Sequence, residues 1–231
     1  DAIKKALPEA DHPAIPAFRA LARETGAWIL GGSLSIKLSE TKYANRSLLF
    51  DPAGNVAARY DKLHLFDVDL AGGERYRESD SISPGAAAVV ADLPWCRIGL
   101  TICYDVRFAA LHRALAKAGA KVITSPAAFT VPTGQAHWHV LLRARAIETG
   151  SFVLAAAQGG IHDGGRATYG HSLAVSPWGE ILAEAGEDPG VIYADIDPAQ
   201  SDLVRQRIPS LRHDRPFSLP ELKPGETIAT S

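Results

Sequence analysis

Apolar residues first recur at helical spacing in Ile15, Phe18, Leu21 and Ala22, with Pro13 ahead of them and Gly26 behind. The spacing predicts an amphipathic helix opened by proline and stopped by glycine. Trp28 to Ile36 reads as one strand. Arg46–Phe50 and Asn55–Tyr60 flank Asp51-Pro52-Ala53-Gly54, whose residues favour a tight turn, so an antiparallel hairpin is expected there. Residues 61–85 are polar, contain Gly72, Gly73 and Gly85, and show no clear period. A loop of that length inside a compact domain is usually functional.

Ala87–Ala91 and Arg97–Ile102 read as two further strands, the second apolar enough to be buried on both faces. Leu111, Leu115 and Ala118 mark a helix ended by Gly119, and Val122–Thr124 is a short strand. A Pro/Thr/Gly loop over 126–134 precedes a second helix from His137 to Glu148. Phe152–Ala157, Gly170–Val175, Ile181–Glu184 and Val191–Ile196 read as strands, with Ser176-Pro177-Trp178-Gly179 as a turn. Strand–helix–strand units mixed with hairpins indicate an α/β protein with a mixed sheet. Residues 1–216 read as one domain, and 217–231, with Pro220 and Pro224 and few apolar side chains, as an arm or tail.

Composition narrows the classes. The 231 residues are 46% hydrophobic and 22% charged, as in ordinary globular proteins. Against 26 acidic residues stand 24 basic ones, and the net charge of −2 argues against an electrostatic nucleic-acid or membrane binder. No apolar run approaches membrane-spanning length. The two cysteines, Cys96 and Cys103, form neither a disulfide framework nor a C-x-x-C site, so a reducing, cytoplasmic setting is expected.

Cys103 is the sharpest single feature. It follows a buried-type strand and precedes Tyr104-Asp105-Val106-Arg107-Phe108, which leads into a helix. At such a junction, backbone N–H groups could lower the thiol pKa and make a nucleophile. A buried, inert cysteine fits the same position. Cys96, in a turn beside Trp95, reads as inert. Lys62 and Glu78 taken alone read as surface charges. His137 and His139 are two apart on a helix, His162 and His171 nine apart, and no H-E-x-x-H occurs, so neither a metal nor a cofactor is expected.

Together, several segments resemble the nitrilase superfamily of carbon–nitrogen hydrolases. They are 59–67 (Arg59-Tyr60-Asp61-Lys62-Leu63-His64-Leu65-Phe66-Asp67), Glu78-Ser79 with Ser83-Pro84-Gly85, 98–108 around Cys103, Ala136-His137-Trp138, 142–148, and Tyr169-Gly170-His171-Ser172. The resemblance implies a four-layer α-β-β-α sandwich that pairs into homodimers or larger homo-oligomers. It also implies a Glu–Lys–Cys triad that hydrolyses amides or nitriles through a thioester, without a cofactor. It carries the nucleophile to Cys103, the catalytic lysine to Lys62 and an orienting glutamate to Glu78. The Tyr104 N–H would join Lys62 in stabilising the oxyanion, and Phe129 and Thr130 are the candidate pocket wall.

Within the superfamily the motifs look most like deaminated glutathione amidases, with ω-amidases as close relatives, so a small carboxylate-bearing amide is the expected substrate. Alternatives are a nitrilase-type enzyme acting on another small amide or nitrile, and an inactive binding or scaffold member. Two departures stand out: His139 where glutamate usually follows Ala-His-Trp, and Ala109-Ala110 in place of Pro-Glu. The resemblance places the proton-carrying glutamate in a Pro-Glu motif after the first sheet strand. Leu7-Pro8-Glu9 falls downstream of that position in register. The expectation is therefore that the first strand, the first helix and that glutamate are missing from this methionine-free chain, which starts at Asp1.

Overall fold

The computed structural model describes residues 6–70 and 73–218. The first helix, α1 (Ala14–Thr25), is flanked by Pro13 and by Gly26 at φ 65°, as its sequence predicts. The strand expected over 28–36 is two strands, β1 (Ile29–Leu30) and β2 (Leu34–Lys37). Between them Gly32 adopts φ 66°, a left-handed conformation that interrupts the extended run. Both lie along one edge of β3 (Tyr43–Phe50), and β4 (Val56–Asp61) pairs with the other. The β3–β4 turn closes through Gly54 N–H to Asp51 O at 2.8 Å, while the Asp51 carboxylate accepts from Asn55 N–H at 2.8 Å.

The supposedly structureless 61–85 contains a short hairpin, β5 (Asp67–Asp69) with β6 (Arg75–Arg77). A larger sheet follows, of six strands: β7 (Val89–Asp92), β8 (Arg97–Leu100), β9 (Ala120–Thr124), β10 (Phe152–Ala155), β13 (Leu173–Val175) and β14 (Ile181–Glu184). Its centre, β8–β9–β10, is parallel, with α2 (Ala109–Lys117) and α3 (Val131–Thr149) as the crossovers. Hairpin β11 (Gly159–Ile161) with β12 (Ala167–Tyr169) stands beside this sheet, and α4 (Ala199–Arg207) follows it.

Alternation along β3 builds the layers. Leu48 and Phe50 pack under Ile15, Phe18 and Ala22 of α1. Leu49 faces the other way, onto Leu100, Val122 and Phe152 of the second sheet. Beyond that sheet, Leu111 and Leu115 of α2 cover Ile123, and Trp138, Leu142 and Ala146 of α3 cover Val153, Leu173 and Val175. This is the α-β-β-α order, and each fully buried Leu or Phe contributes about 1.5–3 kcal/mol relative to exposure.

Two further sequence expectations need correction, and a third lies almost wholly outside the described residues. The 126–134 loop ends earlier, because α3 begins at Val131 with proline in its first turn, where a missing N–H costs nothing. Val191–Ile196 pairs with no strand among the described residues, and Val191 and Tyr193 stay exposed despite their alternation. The expected arm over 217–231 has only Phe217 and Ser218 among the described residues, and 219–231 lie outside them.

Gly134 lies in the first turns of α3, where a Cβ would sit 2.3 Å from Tyr169 Cγ and 2.4 Å from Tyr169 Cβ. Alanine would add about 1 kcal/mol of helix propensity, but the base of a ring cannot swing aside, and overpacking costs about 1–3 kcal/mol. Gly134→Ala is therefore expected to destabilise the protein by up to about 2 kcal/mol, read as a lower urea midpoint. An unchanged or higher midpoint would show that α3 and β12 are not in this close contact.

Candidate active site

Cys103 lies just past the carboxyl end of β8, where open parallel sheets gather their ligand-binding loops. Its backbone has φ 49°, an uncommon conformation for a residue other than glycine. Two features hold it there. The Cys103 N–H donates to Pro126 O at 2.9 Å, prolonging the β8–β9 pairing. Two residues on, the Asp105 carboxylate is 0% exposed and pins the loop from below. It accepts from Ile102 N–H at 2.9 Å, the Tyr60 hydroxyl at 2.7 Å and His64 N–H at 3.1 Å, and pairs with the His64 ring at 2.7 Å. Burial and the adjacent Asp105 raise the Tyr60 pKa, so its hydroxyl stays a donor.

Lys62 ends the first sheet's contribution, one residue past β4. Its own N–H donates to Asn45 O and its carbonyl accepts from Gly85 N–H, each at 2.9 Å. Only glycine fits at 85, since a Cβ would lie 2.2 Å from Asp61 O. The Lys62 side chain is only 3% exposed and forms an ion pair with Glu78. Glu78 also accepts from Phe66 N–H at 2.6 Å and Asn45 Nδ2 at 3.3 Å. A buried ammonium without such a partner would be costly, and Glu78 supplies that partner.

Lys62, Glu78, Cys103, Tyr104, Phe129 and Thr130 all line one cavity of about 770 Å³. The structure thus gathers every residue the sequence selected for the site. Among the described residues lining it, Glu78 is the one carboxylate. Tyr104 N–H has no hydrogen-bond partner among the described residues. Phe129 packs on Trp138 at 4.7 Å between ring centres, and Thr130 shares a 2.7 Å hydroxyl hydrogen bond with Thr133.

The thiol departs from expectation. Cys103 keeps a partial opening to the cavity, yet the protein packed around it pushes its pKa above the ordinary value. Lys62, the Ala128 N–H and Arg166 pull the other way without overcoming burial. The resting group is a neutral thiol, so attack requires a proton acceptor. Glu9 is not that acceptor: it sits off the cavity, bound to Arg46 at 2.7 Å and to Arg59 at 2.8 Å. Cys96 packs at the margin of the inter-sheet core, its thiol likewise raised by burial, in line with its inert reading.

Sequence reasoning passed over three contributors. Asp105 was quoted only as part of a motif, and Asn45 sits inside an ordinary strand. Arg166 lies in the glycine-rich β11–β12 turn, far from Lys62 and Cys103 in sequence. It lines the cavity, donates to Ala128 O at 2.9 Å and lies 5.7 Å from the Tyr76 ring centre. Unlike Arg77, which is bound to Asp69 at 2.7 Å, Arg166 pairs with no carboxylate among the described residues. Among those residues, no helix is long and apolar enough to cross a membrane.

Comparison with known proteins converges on the same architecture. The chain is 45% identical over 208 residues to a deaminated glutathione amidase of Yersinia enterocolitica, covering 89% of this chain and 73% of the relative. It is 39% identical over 195 residues to omega-amidase NIT2 of Homo sapiens, covering 84% and 70%. Among solved structures, the C. elegans NitFhit protein superposes with a TM-score of 0.80 at 40% identity; the match covers 89% of this chain and about half, 51%, of that one. The carbon–nitrogen hydrolase family profile matches residues 2–206, and the chain belongs to that family.

Proposed function

We propose that the protein is an amidase that hydrolyses a small carboxylate-bearing amide through a thioester on Cys103, releasing ammonia. The observation that carries this reading is the placement of the Cys103 thiol and the buried Lys62 ammonium on one cavity. Cys103, once deprotonated, attacks the amide carbon. The Lys62 ammonium and the Tyr104 N–H then stabilise the oxyanion of the tetrahedral intermediate. Collapse expels the amine, protonated to ammonia, and water cleaves the thioester to return the thiol and a carboxylic acid. Glu78, already accepting from Lys62, Phe66 N–H and Asn45, acts as the orienting group for Lys62. The proton-relaying glutamate implied by the family resemblance is none of the described cavity residues.

Arg166 favours a substrate that carries a carboxylate, because a cavity-lining guanidinium with no carboxylate partner among the described residues can take one from the ligand. This agrees with the names of the two relatives, a deaminated glutathione amidase and an omega-amidase. Arg166→Gln is expected to raise KM for α-ketoglutaramate and deaminated glutathione by about tenfold or more, and to change KM for a neutral aliphatic amide far less. Equal losses on charged and neutral amides would remove Arg166 from this role. The reading extends to a cytoplasmic homo-oligomer, supported by two unpaired cysteines and by exposed Val140, Ile147 and Trp178.

The test is ammonia release from deaminated glutathione, α-ketoglutaramate and simple aliphatic amides, with Lys62→Ala as a control. Release from the carboxylate-bearing amides, lost in the control, is the expected result. No release from any amide or nitrile would instead support a binding protein.

A further inference from the structure

Away from the cavity, three side chains that the family resemblance leaves without a role converge on one point. His139 comes from α3, His171 from the turn between β12 and β13, and Glu184 from the end of β14. Glu184 Oε1 lies 2.8 Å from His139 Nε2 and 3.0 Å from His171 Nδ1. All three donor atoms lie within 4.8 Å of one another. The imidazole planes stand at 68° with ring centres 5.7 Å apart, so the two rings do not stack on each other.

The arrangement is held before any ligand arrives. His171 has φ 57°, its N–H donates to Gly186 O at 3.0 Å, and its carbonyl accepts from Trp138 Nε1 at 2.8 Å. The His171 ring stacks on Tyr169 at 4.2 Å. The three side chains are 28%, 23% and 36% exposed, shielded by neighbouring elements yet open to an entering ion.

We propose that His139, His171 and Glu184 form a binding site for one divalent transition-metal ion, with zinc the best match. Two imidazole nitrogens and one carboxylate oxygen suit zinc and related ions, whereas calcium and magnesium require all-oxygen shells. Metal–ligand bonds of about 2.0–2.1 Å in a tetrahedron place donor atoms about 3.4 Å apart, within the range already present. Binding displaces any proton that His139 Nε2 and His171 Nδ1 share with Glu184, and water fills the fourth position. The ion would tie α3 to β14 and, through Tyr169 N–H to Phe129 O at 2.9 Å, to the cavity wall.

The site is tested by zinc titration calorimetry on chelator-treated, full-length protein, in a Cys103→Ala background so that the reactive thiol does not compete. One ion per chain is expected. Affinity should fall by about tenfold or more in both His139→Gln and Glu184→Gln, and be retained in His139→Cys, which supplies a thiolate. Zinc at about a hundred times its Kd should raise Tm by about 5–10 °C, and the same zinc concentration should give about half that shift or less in the two weakened variants. Circular dichroism confirms that the variants are folded. Absence of saturable binding, or binding that both substitutions leave unchanged, would reduce the cluster to an ordinary His–Glu pair.

Discussion

Cys103→Ala is expected to lower ammonia release by about 10⁴-fold or more while leaving the fold intact. Removing the nucleophile forfeits the covalent route, and little else near the cavity can replace it. Cys96 belongs to the margin of the inter-sheet core. The alanine side chain differs by one sulfur, and stability should change by no more than about 1 kcal/mol. Steady-state rates together with a urea midpoint separate the two effects. A large loss of both would mean that Cys103 matters for packing; retained activity would exclude it as the nucleophile.

Asp105→Ala is expected to act through structure first. The carboxylate is fully buried, accepts from the Ile102 N–H, the Tyr60 hydroxyl and the His64 backbone N–H, and pairs with His64 Nδ1. Alanine leaves several buried donors without an acceptor, each costing about 1–3 kcal/mol. Losing one member of a buried charged network costs about 3–5 kcal/mol in total, and that loss should appear in urea unfolding. Asp105→Asn keeps one acceptor oxygen and the shape, so it should lose less. Because the same bonds hold Ile102 and the strained Cys103, activity should fall in the asparagine variant even where it remains folded. A change below about 1 kcal/mol in Asp105→Ala would contradict the account of how this loop is held.

Much of the site was legible because its parts are local. The α1 boundaries follow from Pro13 and Gly26, the β3–β4 hairpin from Asp51-Pro52-Ala53-Gly54, and the position of Cys103 from an apolar strand running into a helix. Lys62 and Glu78 became candidates only through the family resemblance, since a lone lysine or glutamate looks like surface charge. Other features lacked a local signature. β11 and β12 carry four glycines, at 159, 160, 164 and 165, in and between them, so no apolar alternation marks the hairpin that presents Arg166. α4 is mostly polar and shows no strong apolar stripe.

The converse error occurred at Val191–Ile196, where alternation was present but no strand among the described residues pairs with it. Alternation describes a face, and a strand needs an edge as well. The histidines show the same limit from another side. Pairs close in sequence gave no metal spacing, whereas His139, His171 and Glu184 are separated by 32 and 13 positions and meet only in the fold. Nor could the sequence weigh burial of the Cys103 thiol against Lys62; the packed site raises the pKa that the strand–helix junction alone would lower.

The central claim is that turnover passes through an acyl group on Cys103. Its most direct test is acid-quenched mass spectrometry of the full-length enzyme during turnover of a carboxylate-bearing amide. The account predicts a mass increase equal to the substrate minus ammonia, mapped to the peptide containing Cys103 and absent when substrate is omitted. An acyl group mapped to Cys96 or to any other residue in an enzyme that is turning over would contradict it.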